Sequence, residues 1–256
     1  MIAPQNRVRS IRIVEVGPRD GLQNEATSVT TADKARFVEL LVATGLRDIE
    51  VTSFVRPTAI PRLSDASELV ALLPTVKNVR YWALVPNVRG LERAIAAGIR
   101  HVAIFTGATN SFTSHNIQMT IDESLETFTT VVRQAKREGI AVRGYCSVCF
   151  GCPYEGFVSP EQVQTVARRL LEIGCDELSL ADTIGVATPE QVTEVVSLTR
   201  GLTSSDKIGL HFHDTYGKAL ANIVEAIRHG ITTFDSAAGG LGGCPYAPGA
   251  PGNVAT

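Results

Sequence analysis

Apolar positions along the chain fall into a repeating phrase: an amphipathic helix, a glycine, and shortly afterwards an apolar strand. The phrase is read at KARFVELLVATGLRDIEV, GLERAIAAGIRHVAIF, ETFTTVVRQAKREGIAVRGYC, EQVQTVARRLLEIGCDELSL and ALANIVEAIRHGITTFDS. Its glycines, Gly45, Gly98, Gly139, Gly174 and Gly230, stand where a left-handed residue ends a helix. Val163, Val166, Ala167 and Leu170 share the spacing of one helical face, as do Leu220, Ile223, Val224 and Ile227. Helix starts repeat as well. SPEQV at 159 and TPEQV at 188 each supply a Ser/Thr N-cap, a first-turn proline and a glutamine at N3.

Filling the intervals places strands near 11–16, 47–52, 79–85, 101–105, 141–146, 176–180, 207–213 and 231–236, with helices between them. Regular alternation of this kind calls for a parallel sheet. Eight units call for a closed (β/α)₈ TIM barrel, an α/β fold that typically needs about 250 residues. The chain has 256 and shows no linker or low-complexity tract, so one catalytic barrel over 1–256 is expected. Seven helices are read. The eighth would begin where the sequence ends, so the C-terminal helix and tail are expected to be missing or incomplete, leaving an apolar patch on the outer faces of strands 8 and 1.

Composition removes several function classes. With 24 basic and 26 acidic side chains the net charge is -2, which gives no electrostatic footprint for nucleic acid. No apolar run approaches the roughly 20 residues of a membrane span, and MIAPQNRVRS lacks the apolar stretch of a signal peptide. Five cysteines in a chain of this length do not suggest a disulfide scaffold, and a reducing, cytoplasmic setting is expected.

Chemistry collects where strands end, the active face of such a barrel. Strand 1 ends in Glu15 and runs into GPRDGLQNE with Arg19 and Asp20; strand 2 ends in Glu50 and Thr52; strand 3 leads to Asn87; strand 6 leads to Asp182 and Thr183. Strand 7 ends in HFHD. Residues i and i+2 of a strand share a side, so His211 and His213 can both face the axis and present ring nitrogens to one cation. The plainer reading is two hydrogen-bonded histidines. Asp20 and Asn253 as further donors favour a six-coordinate Mg²⁺ or Mn²⁺ over a closed structural zinc site.

Cys146, Cys149 and Cys152 form a C-x₂-C-x₂-C run, but the fourth cysteine of a ferredoxin pattern is replaced by Gly156, so these are read as structural thiols. Cys244 differs: it lies in GGLGGCPYAPGAPGN, a glycine-rich loop that cannot pack a core. A thiol there can act as nucleophile or proton carrier, against the alternative of an ordinary loop cysteine. Arg19 and Asp20 can equally be solvated surface, and Glu50 an ion-paired strand end.

Taken together, VEVGPRDGLQNE, IEVTSFV, GCPYEG, LADTIGVATP, HFHDTYGKALAN and GGLGGCPYAPGAPGN resemble the hydroxymethylglutaryl-CoA lyase family, metal-dependent (β/α)₈ lyases related to carboligases. The resemblance implies metal ligation by Asp20, His211, His213 and Asn253, with Arg19, Asp20, Glu50, His211 and Cys244 as catalytic groups. Arg19, Asn87, Asp182 and Thr183 are the expected substrate contacts. It implies divalent-metal-assisted retro-Claisen cleavage of 3-hydroxy-3-methylglutaryl-CoA to acetyl-CoA and acetoacetate, in leucine degradation or ketone-body metabolism, with an acyl-CoA as substrate and a homodimer as assembly. The alternatives are a related lyase or Claisen carboligase acting on another 3-hydroxyacyl-CoA or 2-oxo acid, or an inactive truncated barrel that binds CoA thioesters. One departure is Ala26, where related chains often carry lysine; Arg56 and Arg62 on the next loop can compensate.

Overall fold

All eight expected strands form close to their expected spans in the computed structural model, which describes residues 10–242 and 252–256. They are β1 (Arg12–Glu15), β2 (Asp48–Ser53), β3 (Arg80–Leu84), β4 (His101–Gly107), β5 (Ala141–Ser147), β6 (Glu177–Asp182), β7 (Ile208–Phe212) and β8 (Thr233–Ser236). Each pairs in parallel with its sequence neighbour. The barrel closes where β8 meets β1, with Arg12 opposite Thr233 and Glu15 opposite Ser236. The β2–β3 register shifts between Glu50 and Thr52.

Between the strands run α1 (Thr31–Ala43), α2 (Ala66–Leu72), α3 (Val88–Ala96), α4 (Asn110–Ile117), α5 (Ile121–Arg137), α6 (Pro160–Glu172), α7 (Pro189–Arg200) and α8 (Ala219–Arg228). The repeated starts do what their residues dictate: Ser159 with Gln162, and Thr188 with Gln191, close reciprocal capping boxes that satisfy amides otherwise orphaned at a helix N-terminus. The glycines read as helix stops do take positive φ, for instance 102° at Gly45 and 108° at Gly174. The short helix α4, on the loop after β4, was not expected from the pattern.

Packing inverts one expectation. Most of the apolar stripe of α8 points outward: Leu220 is 67% and Val224 50% exposed, and Ile227 is exposed too; Ile223 alone of the four packs partly buried against the core, while Ala219, Asn222 and Ala226 are buried. The buried side of α8 carries small side chains, and among the described residues no α-helix follows β8 to cover its other flank. The outer face of β8 is not bare as expected, since Phe234 is buried. Gly252 to Thr256 run back over the tops of β7 and β8. The Val254 amide donates to Phe212, the Ala237 amide to Val254 and the Thr256 amide to Ala237.

A barrel interior is usually layered with branched apolar side chains. This one is charged at its N-terminal end. Arg12 donates to Asp48 at 3.0 Å and to Glu177, Arg80 donates to Asp48 at 2.7 Å, and the Trp82 indole donates to the same carboxylate at 2.9 Å. Arg143 is wholly buried higher in the same interior. The apolar core lies between barrel and helices, on the outward positions of the strands, as with Val102, Ile104, Val142, Leu178, Leu180 and Leu210.

Candidate active site

Directly after β1 the chain makes one wide helical turn, Gly17–Gly21, in which the amides of Arg19, Asp20 and Gly21 all donate to the Val16 carbonyl. That turn projects Arg19 and Asp20 over the barrel mouth. Across it, β7 and the residue after it present His211 and His213, ring centroids 5.3 Å apart. Donor atoms of Asp20, His211 and His213 all lie within 4.8 Å of one another. The i, i+2 reading of HFHD therefore holds in space.

Asn253 arrives from the returning segment, bridged to His213. Its amide nitrogen donates to Asp20 Oδ2 at 2.9 Å and to the Leu241 carbonyl at 3.0 Å, which leaves its oxygen free. A Cβ on Gly242 would stand 2.5 Å from that amide nitrogen, so glycine is required where the chain passes it. Buried Asn253 Oδ1 and His213 Nδ1 have no hydrogen-bond partner. Orphaned donors of lone pairs beside a carboxylate and a second imidazole suit a divalent cation with mixed oxygen and nitrogen ligands.

Electrostatics agree. Burial alone would raise the Asp20 carboxyl, but Arg19, His211, His213 and the Asn253 amide outweigh it and hold it at about 2. His213 is lowered to about 4, first by burial and then by His211, against the pull of Asp20; the ring is neutral near pH 7 and keeps its lone pair for a metal. His211 Nδ1 lies 3.2 Å from Asp235 Oδ2, so its tautomer is set and its other nitrogen faces the site.

Arg19 is the most constrained charge at the mouth. Its Nε donates to the buried Glu50, its Nη1 donates to Asp20 at 2.5 Å, and the guanidinium stacks 5.8 Å from the Tyr145 ring. Tyr145 OH donates to the other Glu50 oxygen at 2.9 Å, and burial pushes that phenol well above its ordinary range. Glu50 is thus a holder of Arg19.

The remaining expected contacts are engaged in local hydrogen bonds, Asp182 next to the cluster itself. Asn87 is exposed and its side chain caps α3 by accepting from Gly90 at 3.0 Å. Asp182 is raised to about 6 by burial, although it accepts from the Val186 and Ala187 amides, and its carbonyl accepts from the His213 amide. Thr183 accepts from the Val148 amide at 2.9 Å. Cys244 and the rest of 243–251 lie outside the described residues. Cys146, Cys149, Cys152 and Cys175 are buried free thiols, and no cysteine joins a metal-capable cluster among the described residues.

Three residues not foreseen complete the floor: Asp235, Arg143 and Tyr145. Asp235 also accepts from Ser179 at 2.9 Å. Arg143 Nη2 stands 2.7 Å from Asp235 Oδ1, close enough for a strong charge contact though not aligned as a hydrogen bond. Their signal was strand alternation: Arg143 and Tyr145 are i, i+2 on β5, and Asp235 pairs in register with His211.

Fold and donor set define a (β/α)₈ barrel with a candidate divalent-metal centre at its C-terminal mouth. The HMGL-like family profile matches residues 10–256, and the chain belongs to that family. It is 47% identical over 249 residues to hydroxymethylglutaryl-CoA lyase from Pseudomonas mevalonii, covering 97% of this chain and 83% of that one. The crystal structure of hydroxymethylglutaryl-CoA lyase from Pseudomonas aeruginosa matches with a TM-score of 0.94 at 47% identity, over 96% of this chain and 82% of that chain. An HMG-CoA lyase from Acinetobacter baumannii, solved with coenzyme A and 3-methylmalate, matches with a TM-score of 0.92 at 38% identity, over 100% and 82% of the two chains. No helix among the described residues is long and apolar enough to cross a membrane.

Proposed function

We propose that this chain is a divalent-metal-dependent carbon–carbon lyase that cleaves 3-hydroxy-3-methylglutaryl-CoA to acetyl-CoA and acetoacetate. The observation that carries the reading is the convergence of Asp20, His211 and His213 on one point, with the unpartnered oxygen of Asn253 beside them. Similarity to hydroxymethylglutaryl-CoA lyases over nearly the whole chain supports the substrate assignment. We place Mg²⁺ or Mn²⁺ on these four residues.

The reaction breaks the C2–C3 bond of a 3-hydroxyacyl thioester. The hydroxyl loses its proton to a group of the Asp20–His211 pair, the C3–O bond becomes a carbonyl, and the C2–C3 electron pair moves onto C2 and into the thioester oxygen. A bound dication supplies Lewis acidity that lowers the pKa of the hydroxyl. Arg19 meets the negative charge as it builds on the thioester oxygen. Two of its nitrogens are fixed by carboxylates, so the guanidinium is held before charge builds; one such donor is commonly worth about 3–4 kcal/mol. Cys244 returns a proton to C2 and so completes acetyl-CoA.

Acetoacetate release from hydroxymethylglutaryl-CoA, followed with and without EDTA, tests the reading. Turnover that EDTA abolishes and Mg²⁺ or Mn²⁺ restores is expected. Turnover indifferent to EDTA, or condensation of acetyl-CoA onto 2-oxo acids in its place, contradicts it.

A further inference from the structure

Glu15 ends β1, is completely buried, and has no part in the chemistry just described. Its carboxylate faces three chain segments at once. Oε1 accepts from the amide of Gly17, the first residue of the turn that carries Arg19 and Asp20, at 2.8 Å, and from the amide of Ala238, just past β8, at 3.0 Å. Oε2 accepts from the hydroxyl of Thr256 at 2.7 Å. That hydroxyl oxygen is also 2.7 Å from the Ser236 hydroxyl, and Ser236 is the register partner of Glu15 across the closing seam of the barrel.

The close approach is built in: a Cβ at Gly17 would fall 2.6 Å from Oε1. Burying a carboxylate is costly unless its oxygens are satisfied, and burial does raise this carboxyl despite its donors. A cap for the Gly17 amide alone would need only one oxygen. The second goes to a residue three positions after Asn253. The segment is otherwise retained by the Val254 amide to Phe212, the Thr256 amide to Ala237, the Asp214 and Ala237 amides to the carbonyls of Gly252 and Val254, the Asn253 side-chain amide to Asp20 and Leu241, and the Ser236–Thr256 hydroxyl contact.

We propose that Glu15 is a positioning residue, fastening the segment 252–256 to the turn Gly17–Gly21 so that Asn253 and Asp20 are set against each other as a pair. This rests on the reading of Asp20 and Asn253 as cation ligands. Through Gly17 it fixes the segment bearing one oxygen ligand; through Thr256 it fixes the segment bearing the other. The link is a hydrogen-bonded one, so an amide in place of the carboxylate suffices: Gln at 15 keeps an oxygen for the two backbone amides and can donate to Thr256 Oγ1, whose proton then goes to Ser236.

The test compares the full chain with Thr256→Val and Glu15→Gln, by amide hydrogen exchange and by calorimetric titration with Mn²⁺. In Thr256→Val, exchange at the Val254 and Thr256 amides is expected to quicken about tenfold, the scale of one charge-assisted bond, with β4 and β5 unchanged. Mn²⁺ affinity is expected to fall by a similar factor. Glu15→Gln is expected to keep both properties. Exchange in Thr256→Val equal to wild type, or quickened exchange with unchanged Mn²⁺ affinity, overturns the inference. If the wild-type chain itself takes up no Mn²⁺, it is the reading of the cation site that fails, and the exchange arm still decides whether Glu15 fastens the segment.

Discussion

Two carboxylates hold Arg19, Glu50 from β2 at Nε and Asp20 at Nη1, while the Tyr145 ring lies against its plane. A guanidinium so fixed needs no rearrangement when charge builds on a substrate oxygen. Glu50→Gln keeps shape but removes the charge that aligns Nε, and a buried arginine short of one partner shifts toward the other. The expected outcome is a fall in kcat of about a hundredfold with Mn²⁺ affinity changed by less than about tenfold, since Glu50 touches no metal ligand directly and reaches them only through Arg19 and the Tyr145 ring. Steady-state assays beside calorimetry check it. An unchanged kcat removes the holding role. At this scale the sequence gives the direction of His211 and His213, because an i, i+2 pair on a strand shares a side without knowledge of the fold. It does not reveal Asp235 or Arg143, which sit one layer deeper and look like any charged strand residue until the register β7–β8 brings Asp235 opposite His211.

At the scale of elements, the strands and most helices were legible because local chemistry decides them. The capping boxes at Ser159 and Thr188 and the helix-stopping glycines are short-range signals. Two features were not legible, and both depend on distant partners. The stripe Leu220, Val224 and Ile227 reads as an inward face, yet the buried side of α8 is made of Ala219, Asn222 and Ala226. The buried side is made of small and polar residues, which periodicity of large apolar residues cannot report. The return of 252–256 over β7 and β8 is carried by backbone bonds to Phe212 and Ala237 that no pattern in GNVAT announces. Asn253 is a candidate donor from its residue type, but its placement beside Asp20 comes from the structure.

At the scale of the molecule, the barrel is plugged by charge from below and reads as a site from above. At the N-terminal end, Arg12, Asp48, Arg80 and Glu177 fill the barrel and satisfy one another. Burial would raise the Asp48 carboxyl, but hydrogen bonds from Arg80 and Arg12 and the charge of Arg12 lower it from 3.8 to about 2. A carboxylate depressed on folding adds stability above its unfolded pKa, and that contribution drains away as pH falls through the folded one. The shift corresponds to about 2 kcal/mol at most, reduced because Arg80 is partly exposed. Urea unfolding of wild type and Asp48→Asn should therefore differ by about that amount near neutrality and converge as pH drops from about 4 toward 2. A gap that does not narrow over this window contradicts the assignment of Asp48 as the charged hub of the lower barrel.

The whole reading depends on four side chains from far-separated segments gripping one ion. Calorimetric titration of the chain and of His213→Ala with Mn²⁺ is the most direct measurement. One site per chain is expected for the wild type, weakened about a hundredfold or more in the variant with the fold intact by circular dichroism. A wild type that gives no binding heat, or a variant that binds Mn²⁺ as tightly as the wild type, contradicts it.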